Sequence, residues 1–123
     1  MKTILIVEDN EKNMKLVRDI LQHRGHRTLE AATGADGVRL AQERRPDLIL
    51  MDIQLPDING FEAMQRIRAD ADCAAIPVVA FTASVTAGDR HRISEAGFNA
   101  FLGKPIELKS FLATVRQQLG EAV

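Results

Sequence analysis

The stretch that decides the fold runs from residue 46 to residue 56 and reads Pro46-Asp-Leu-Ile-Leu-Met-Asp52-Ile-Gln-Leu-Pro56. Four apolar residues lead directly into the carboxylate of Asp52, and a proline bounds the stretch on each side. A short apolar run of this kind predicts a strand that is buried on both faces, as in a parallel sheet. The carboxyl end of such a strand is where open α/β sheets bind their ligands. Taken alone, Asp52 could instead begin a loop and cap the next helix.

The pattern of a short apolar run followed by an amphipathic stretch recurs along the whole chain. Strands are predicted at Thr3–Val7, Arg27–Ala31, Leu48–Asp52, Val78–Thr82 and Ala100–Gly103. Helices are predicted over about 11–24, 33–45, from 60 onwards, from a cap at Thr86 to near Gly97, and along an apolar stripe from Leu108 to Leu119. The fourth of these helices offers only Ile93 and Ala96 as clear core residues, so we expect it to be the least firmly packed.

Alternating strands and helices favour a parallel sheet that carries helices on both faces, with right-handed crossovers. For five βα units we predict a flavodoxin-like, doubly wound sheet with strand order 2-1-3-4-5 in a three-layer α/β/α arrangement. In that order the first and third strands are neighbours. Glu8 and Asp9, which follow the first strand, would therefore face Asp52 across one crevice.

Length and composition are those of an ordinary globular domain, and residues 1–123 are predicted to form a single domain. The formal net charge of −1 argues against a nucleic-acid or anionic-membrane partner. A single cysteine, Cys73, excludes an internal disulfide framework and fits a reducing compartment. The apolar start at 4–7 is too short for a signal peptide, and no run reaches transmembrane length. The expectation is a cytoplasmic protein.

A polar residue is predicted at the carboxyl end of four strands, which gives the set Glu8, Asp9, Asp52, Thr82 and Lys104. Three carboxylates in one crevice repel one another, and a divalent cation together with a lysine would resolve that conflict. Magnesium prefers oxygen ligands of this kind. An aspartate beside such a metal can act as a nucleophile and form an aspartyl phosphate. The alternative for Glu8 and Asp9 is a solvated pair at the positive end of the first helix dipole.

Three of the remaining positions admit two interpretations each. Thr82 would hydrogen-bond a phosphoryl group, or it is simply a β-branched residue that closes a strand. Lys104 is either a surface lysine or, with a cis bond to Pro105, a cation aimed into the crevice. Phe101 is a core residue or an aromatic switch near a strand end. His23, His26 and His91 lack metal-ligand spacing, and we interpret all three as surface residues.

The set Glu8-Asp9, Asp52, Thr82-Ala83 and Lys104-Pro105 resembles the receiver domains of two-component response regulators, of the single-domain type. The resemblance extends to about Leu119. It implies that Asp52 accepts a phosphoryl group from a histidine kinase or a histidine phosphotransfer protein. It also implies a Mg²⁺ site, with Mn²⁺ as an alternative, formed by Asp9, Asp52 and the backbone carbonyl of Gln54, with Glu8 acting largely through a coordinated water.

The same resemblance implies that Thr82 and Lys104 hold the phosphoryl oxygens and that Phe101 turns inward as Thr82 moves. Many relatives have tyrosine in place of Phe101, so here packing alone would drive that turn. The fourth helix, fifth strand and fifth helix would then bind a downstream protein. The chain would thus be a regulator that assists its own phosphorylation and dephosphorylation, not an enzyme with a separate substrate, and no output domain is expected.

Three other classes of function stay open. One is a docking module of the same fold that works without phosphorylation. Another is a phosphatase with an aspartyl nucleophile, which would need an acid where this chain has Gln54. The last is a flavin-binding electron carrier, which would need a hydroxyl- and glycine-rich phosphate loop in place of Glu8-Asp9-Asn10 and an aromatic residue for stacking; the chain has neither Trp nor Tyr.

Overall fold

The computed structural model of the chain describes residues 2–83 and 87–120. One parallel sheet of five strands lies at its centre, in the order β2-β1-β3-β4-β5. The strands are β1 (Thr3–Val7), β2 (Arg27–Ala31), β3 (Leu48–Asp52), β4 (Val78–Thr82) and β5 (Ala100–Gly103). The predicted strands, the strand order and the flavodoxin-like arrangement are confirmed.

The helices are α1 (Glu11–His23), α2 (Gly34–Arg44), α3 (Gly60–Ala69), α4 (Ala87–Glu95) and α5 (Leu108–Gln118), and a short 3₁₀ turn spans Ala71–Cys73. Apart from α3, for which no end was predicted, each helix ends one or two residues before the predicted point. For α2 the reason is Arg45, whose φ of 45° lies in the left-handed region and stops the helix. The predicted cap at Thr86 lies outside the described residues.

Two apolar layers enclose the sheet. On one face β1 and β3 pack against α2 and α3, and on the other face against α1 and α5. All five residues of β3 are buried, as the apolar run predicted. Each fully buried Leu, Ile or Met side chain contributes about 1.5–3 kcal/mol relative to exposure. The strand that carries Asp52 is therefore firmly held, and it gives the site a rigid base.

Helix α4 is packed more weakly than the others. Among its described side chains only Ile93 is buried, whereas α1, α2 and α3 each bury three or more residues. This agrees with the prediction that the fourth helix, which has few apolar residues on one face, is the least firmly packed. None of the helices described in residues 2–83 and 87–120 is long and apolar enough to cross a membrane.

Candidate functional site

An acidic cleft lies at the carboxyl ends of β1 and β3. Val7 is paired with Met51 in the register of these strands, so Glu8, just after β1, and Asp52, the last residue of β3, lie side by side. Both are buried, with 3% and 5% of their surface exposed, whereas Asp9 is open to solvent. One carboxylate oxygen from each of the three residues lies within 4.8 Å of the others. The crevice predicted from the strand order is therefore present.

Lys104 supplies the positive charge of the cleft. Its Nζ donates hydrogen bonds to Glu8 Oε2 and to Asp52 Oδ2, each at 2.8 Å. Burial acts to lower the pKa of Lys104, but the bonds to Asp52 and Glu8 outweigh it and leave that pKa raised. Burial raises the pKa of Glu8, and the Lys104 hydrogen bond opposes this effect while the Asp52 charge adds to it. The Lys104–Pro105 peptide bond is cis.

Backbone N–H groups orient the two buried carboxylates. Asn10 N–H donates to Glu8 Oε1 at 3.1 Å, and Gln54 N–H donates to Asp52 Oδ1 at 3.0 Å. Asn10 is also the N-cap of α1, because its side chain accepts a hydrogen bond from the backbone of Asn13. Each carboxylate is thus held by one backbone donor and by the shared ammonium group, which fixes the direction in which its oxygens point.

Backbone hydrogen bonds hold the loop from Asp52 to Gly60 in place. Gly60 N–H donates to Ile53 O at 2.8 Å, and a Cβ at Gly60 would stand only 2.8 Å from Asp52 O, so glycine lets α3 begin against this strand end. Further along the loop, Asp57 accepts hydrogen bonds from the backbone of Gly34 at 2.8 Å and of Ala35 at 2.9 Å. These bonds, that from Ala35 foremost, lower the pKa of Asp57 to about 2. The loop is therefore clamped to the start of α2.

Thr82 and Phe101 lie beside the cleft rather than in it. The cleft encloses about 390 Å³ and is lined by Glu8, Asp9, Asp52, Gln54 and Lys104 together with Asn10, Leu55, Pro56 and Ala83. Thr82 is buried and lines an adjacent cavity of about 230 Å³, which shares Gln54 with the cleft. Phe101 is 36% exposed, and the Arg90 guanidinium lies 5.2 Å from its ring centre. Its ring faces outward.

The donor set of the cleft fits a hard divalent cation. Carboxylate oxygens are the ligands that Mg²⁺ prefers, and it usually takes one or two of them together with waters and phosphate oxygens. The Asp9 side chain is exposed and makes no ion pair with any residue in the described parts of the chain, which leaves a carboxylate available. Three close carboxylates with one ammonium group also leave an excess of negative charge.

Two residues around the site were not predicted from the sequence. Asp57 lies in the loop after Asp52, but the backbone it caps is more than 20 residues earlier in the chain, so no local spacing reveals the contact. The Arg90 contact with Phe101 likewise depends on how α4 lies against β5. Of the three histidines, His26 departs from the surface interpretation: it is half-buried, and its Nδ1 has no hydrogen-bond partner among the described residues.

Comparison with known protein families gives one match that covers most of the chain. Residues 4–116 match the response regulator receiver domain. Among individual proteins, the polar-differentiation response regulator DivK of Brucella anthropi is 45% identical over 121 residues, which is 98% of each chain. DivK of Brucella abortus is 44% identical over the same length.

Two solved structures illustrate the similarity in three dimensions. The receiver domain of a sensor histidine kinase from Pseudomonas aeruginosa, with a magnesium ion coordinated in its active-site cleft, is 35% identical with a TM-score of 0.90, and 98% of each chain is covered. The chemotaxis response regulator CheY4 of Vibrio cholerae is 25% identical with a TM-score of 0.91, and the alignment covers 96% of this chain and 98% of that one.

Proposed function

Because this chain belongs to the response regulator receiver domain family, we propose that it is a switch controlled by phosphorylation of Asp52. The phosphodonor is a phosphohistidine on a histidine kinase or a histidine phosphotransfer protein. The observation that carries the proposal is the position of Lys104 Nζ, which is 2.8 Å from both Asp52 and Glu8 in a cleft with three carboxylates. A buried aspartate held this way is a nucleophile with its counter-charges already in place.

The proposed transfer uses the side chains of the cleft directly. A carboxylate oxygen of Asp52 forms a bond to phosphorus, the bond from phosphorus to the donor imidazole nitrogen breaks, and that nitrogen takes up a proton. Lys104 stays within reach of the phosphoryl oxygens through its contact with Asp52. Thr82, at the end of the neighbouring strand, would hydrogen-bond another of these oxygens once it moves toward the cleft. Reversal onto a histidine phosphotransfer protein follows the same path.

A Mg²⁺ ion is part of the proposal, with Mn²⁺ as an alternative. Asp9, Asp52 and the backbone carbonyl of Gln54 would hold it, and Glu8 would act through a bound water. The ion supplies positive charge that offsets the charge of the transferring phosphoryl oxygens. The three carboxylates within 4.8 Å of one another support this assignment.

The proposed output is a changed surface on α4, β5 and α5, which binds a downstream protein. Coupling between phosphorylation of Asp52 and this surface needs an element that has two arrangements of similar energy. Helix α4 suits this role because, of its described side chains, only Ile93 is buried. Phe101 suits it because its ring is held outside by Arg90 and has the size to follow Thr82 inward. Residues 1–123 would act as one receiver domain, and the cytoplasmic location predicted from Cys73 stays a prediction.

Transfer from a radiolabelled phosphohistidine protein to this chain tests the proposed chemistry. Asp52→Asn should abolish labelling, because the amide cannot act as the nucleophile. Asp36→Asn is the matched control, since Asp36 is exposed on α2, does not line the cleft, and its substitution should leave labelling intact. Equal labelling of the Asp52→Asn protein would overturn the assignment. No labelling of any variant by several donors would favour the docking module that works without phosphorylation.

Amide hydrogen exchange tests the proposed output separately. Phosphorylation, or a beryllofluoride mimic of it, should change exchange in the described part of the segment 87–101, because α4 and β5 repack. Exchange in β1 and β3 should stay unchanged, since both are fully enclosed by the core. Unchanged exchange across 87–101 in a protein known to be phosphorylated would remove this surface from the proposal.

A further inference from the structure

A second cavity lies at the opposite end of the molecule from the acidic cleft. It encloses about 590 Å³ between α1 and α5, and its lining begins at Lys2, just before β1, whereas Glu8 lies just after β1. The length of β1 therefore separates the two sites by roughly 16 Å. A volume of this size falls within the range of small-molecule sites.

The cavity combines an apolar floor with a basic rim. The half-buried side chain of Leu112 forms that floor, and Leu21 and Val115 lie fully buried beneath it. The rim carries Lys2, Arg24, His26 and Arg116, and no acidic residue of the described chain lines it. A protein with a net charge of −1 has thus gathered three permanent cations around one pocket.

The rim cations are free to bind a ligand. Within residues 2–83 and 87–120, the side chains of Lys2, Arg24 and Arg116 make no ion pair and no hydrogen bond to another side chain. By contrast, the guanidinium groups of Arg18 and Arg45 form ion pairs with Glu30 and Asp72, respectively. Guanidinium groups without a carboxylate partner present a fork of donors that matches phosphate oxygens.

Free carbonyl groups at the end of α1 would repel an anion bound in this cavity, and the backbone there reduces that repulsion. Helix C-termini carry partial negative charge on their last carbonyls. Here Leu21 O accepts hydrogen bonds from the backbone of both Arg24 and His26, and Gln22 O accepts one from Gly25. Gly25 makes this turn with a φ of +86°, and its missing side chain leaves the space beside it open. The turn thus satisfies two of the last four carbonyls of α1 and puts Arg24 and His26 on the rim.

We propose that this cavity binds an organic phosphate of nucleotide size, with its base against the Leu112 floor and its phosphates on Arg24, Arg116 and Lys2. The proposal is independent of phosphorylation at Asp52. It predicts that both parts of the ligand matter. A nucleoside lacks the groups that the rim binds, and inorganic triphosphate lacks the ring that the floor binds.

Calorimetric titration in metal-free buffer tests the proposal, because it keeps metal-bridged nucleotide out of the acidic cleft. ATP and GTP are the probes, and adenosine and inorganic triphosphate are the comparison ligands. The nucleotide should bind, and Arg24→Ala and Arg116→Ala should each weaken it by about tenfold or more. Arg44→Ala is the matched control, since Arg44 is exposed on α2 and removes the same charge.

Amide chemical shifts of the unaltered protein give a second readout that needs no variant. ATP should move the signals of residues 21–26 and 112–116 and leave those of 8–10 and 52–56 in place. The proposal is overturned if neither nucleotide binds, if inorganic triphosphate binds as tightly as ATP, or if adenosine does. It is also overturned if Arg44→Ala weakens binding as much as Arg24→Ala, because the effect would then be one of net charge alone.

Discussion

Lys104 is the residue that lets two buried carboxylates stand beside each other. Its ammonium group reaches both Glu8 and Asp52, and only 15% of its side chain is exposed. Removing one partner of a buried ion pair leaves an uncompensated charge, which is far more costly than the pair is favourable. The stability of the cleft and its chemistry thus depend on the same cation.

Lys104→Met should therefore lower the free energy of unfolding by about 3 kcal/mol. The cause is repulsion and lost hydrogen bonding at Glu8 and Asp52, so Asp52→Asn added to Lys104→Met should recover part of the loss. Urea unfolding measures both effects, with the exposed Lys109→Met as the control. A Lys104→Met protein as stable as the parent would contradict this account of the cleft.

Arg90 contacts the outward-facing ring of Phe101, and in the proposed switch this contact would hold the ring outside. A cation over an exposed aromatic ring contributes about 0.5–1 kcal/mol. Arg90→Ala should therefore raise the population of the inward ring about two- to fivefold before any phosphorylation. Fluorine NMR of protein labelled with fluorophenylalanine would follow that population.

Arg92→Ala is the matched control for this prediction. Its guanidinium lies 4.5 Å from the ring centre of Phe61, on the other side of α4, so the variant should leave the Phe101 signal in place. An equal shift in both variants would mean that α4 as a whole has loosened. No shift in the Arg90→Ala protein would mean that the contact does not restrain the ring.

At the scale of elements, the strands were the most predictable part of the molecule and the contacts between elements the least. The bounds of β3 follow from an apolar run that ends in a charge. The acidic cleft follows in turn, because strand order alone puts Glu8 beside Asp52. The clamp of Asp57 on α2 did not follow, because it joins the loop before α3 to the first turn of α2, and their approach depends on the packing of α2 against α3.

The Asp57 clamp should make stability depend on pH in a defined window. Hydrogen bonds from Ala35 and Gly34 lower the pKa of Asp57 to about 2, so its contribution is complete above the unfolded value near 4 and falls away toward pH 2. Asp57→Ala should lower the urea midpoint at neutral pH, and the difference from the parent should shrink below about pH 4.

Urea unfolding at about pH 7, 4 and 3 measures the Asp57 effect. Asp36→Ala is the control, because Asp36 lies in the same first turn of α2 but is not held by these backbone groups. A difference between Asp57→Ala and the parent that persists undiminished at the lowest pH would show that the clamp works through packing and not through the charge of its carboxylate.

At the scale of the whole molecule, the parallel sheet separates two kinds of surface. The carboxyl ends of the strands carry the acids and Lys104, and the opposite end carries the basic cavity between α1 and α5. The position of the acidic cleft is fixed by the order of the strands, so it could be predicted from the sequence. The basic cavity depends on how Lys2, the α1–β2 turn and α5 pack against one another. Residue spacing in the sequence does not predict that packing.

The proposed function requires that the side chains of this cleft, together with a bound Mg²⁺ ion, promote transfer of a phosphoryl group to Asp52. Intact mass spectrometry after incubation with a small acyl phosphate, with and without Mg²⁺, tests it without any kinase. The account predicts a single phosphoryl adduct that requires Mg²⁺, is present in Asp36→Asn and is absent in Asp52→Asn. No adduct on the folded protein, or an equal adduct on Asp52→Asn, would contradict the account.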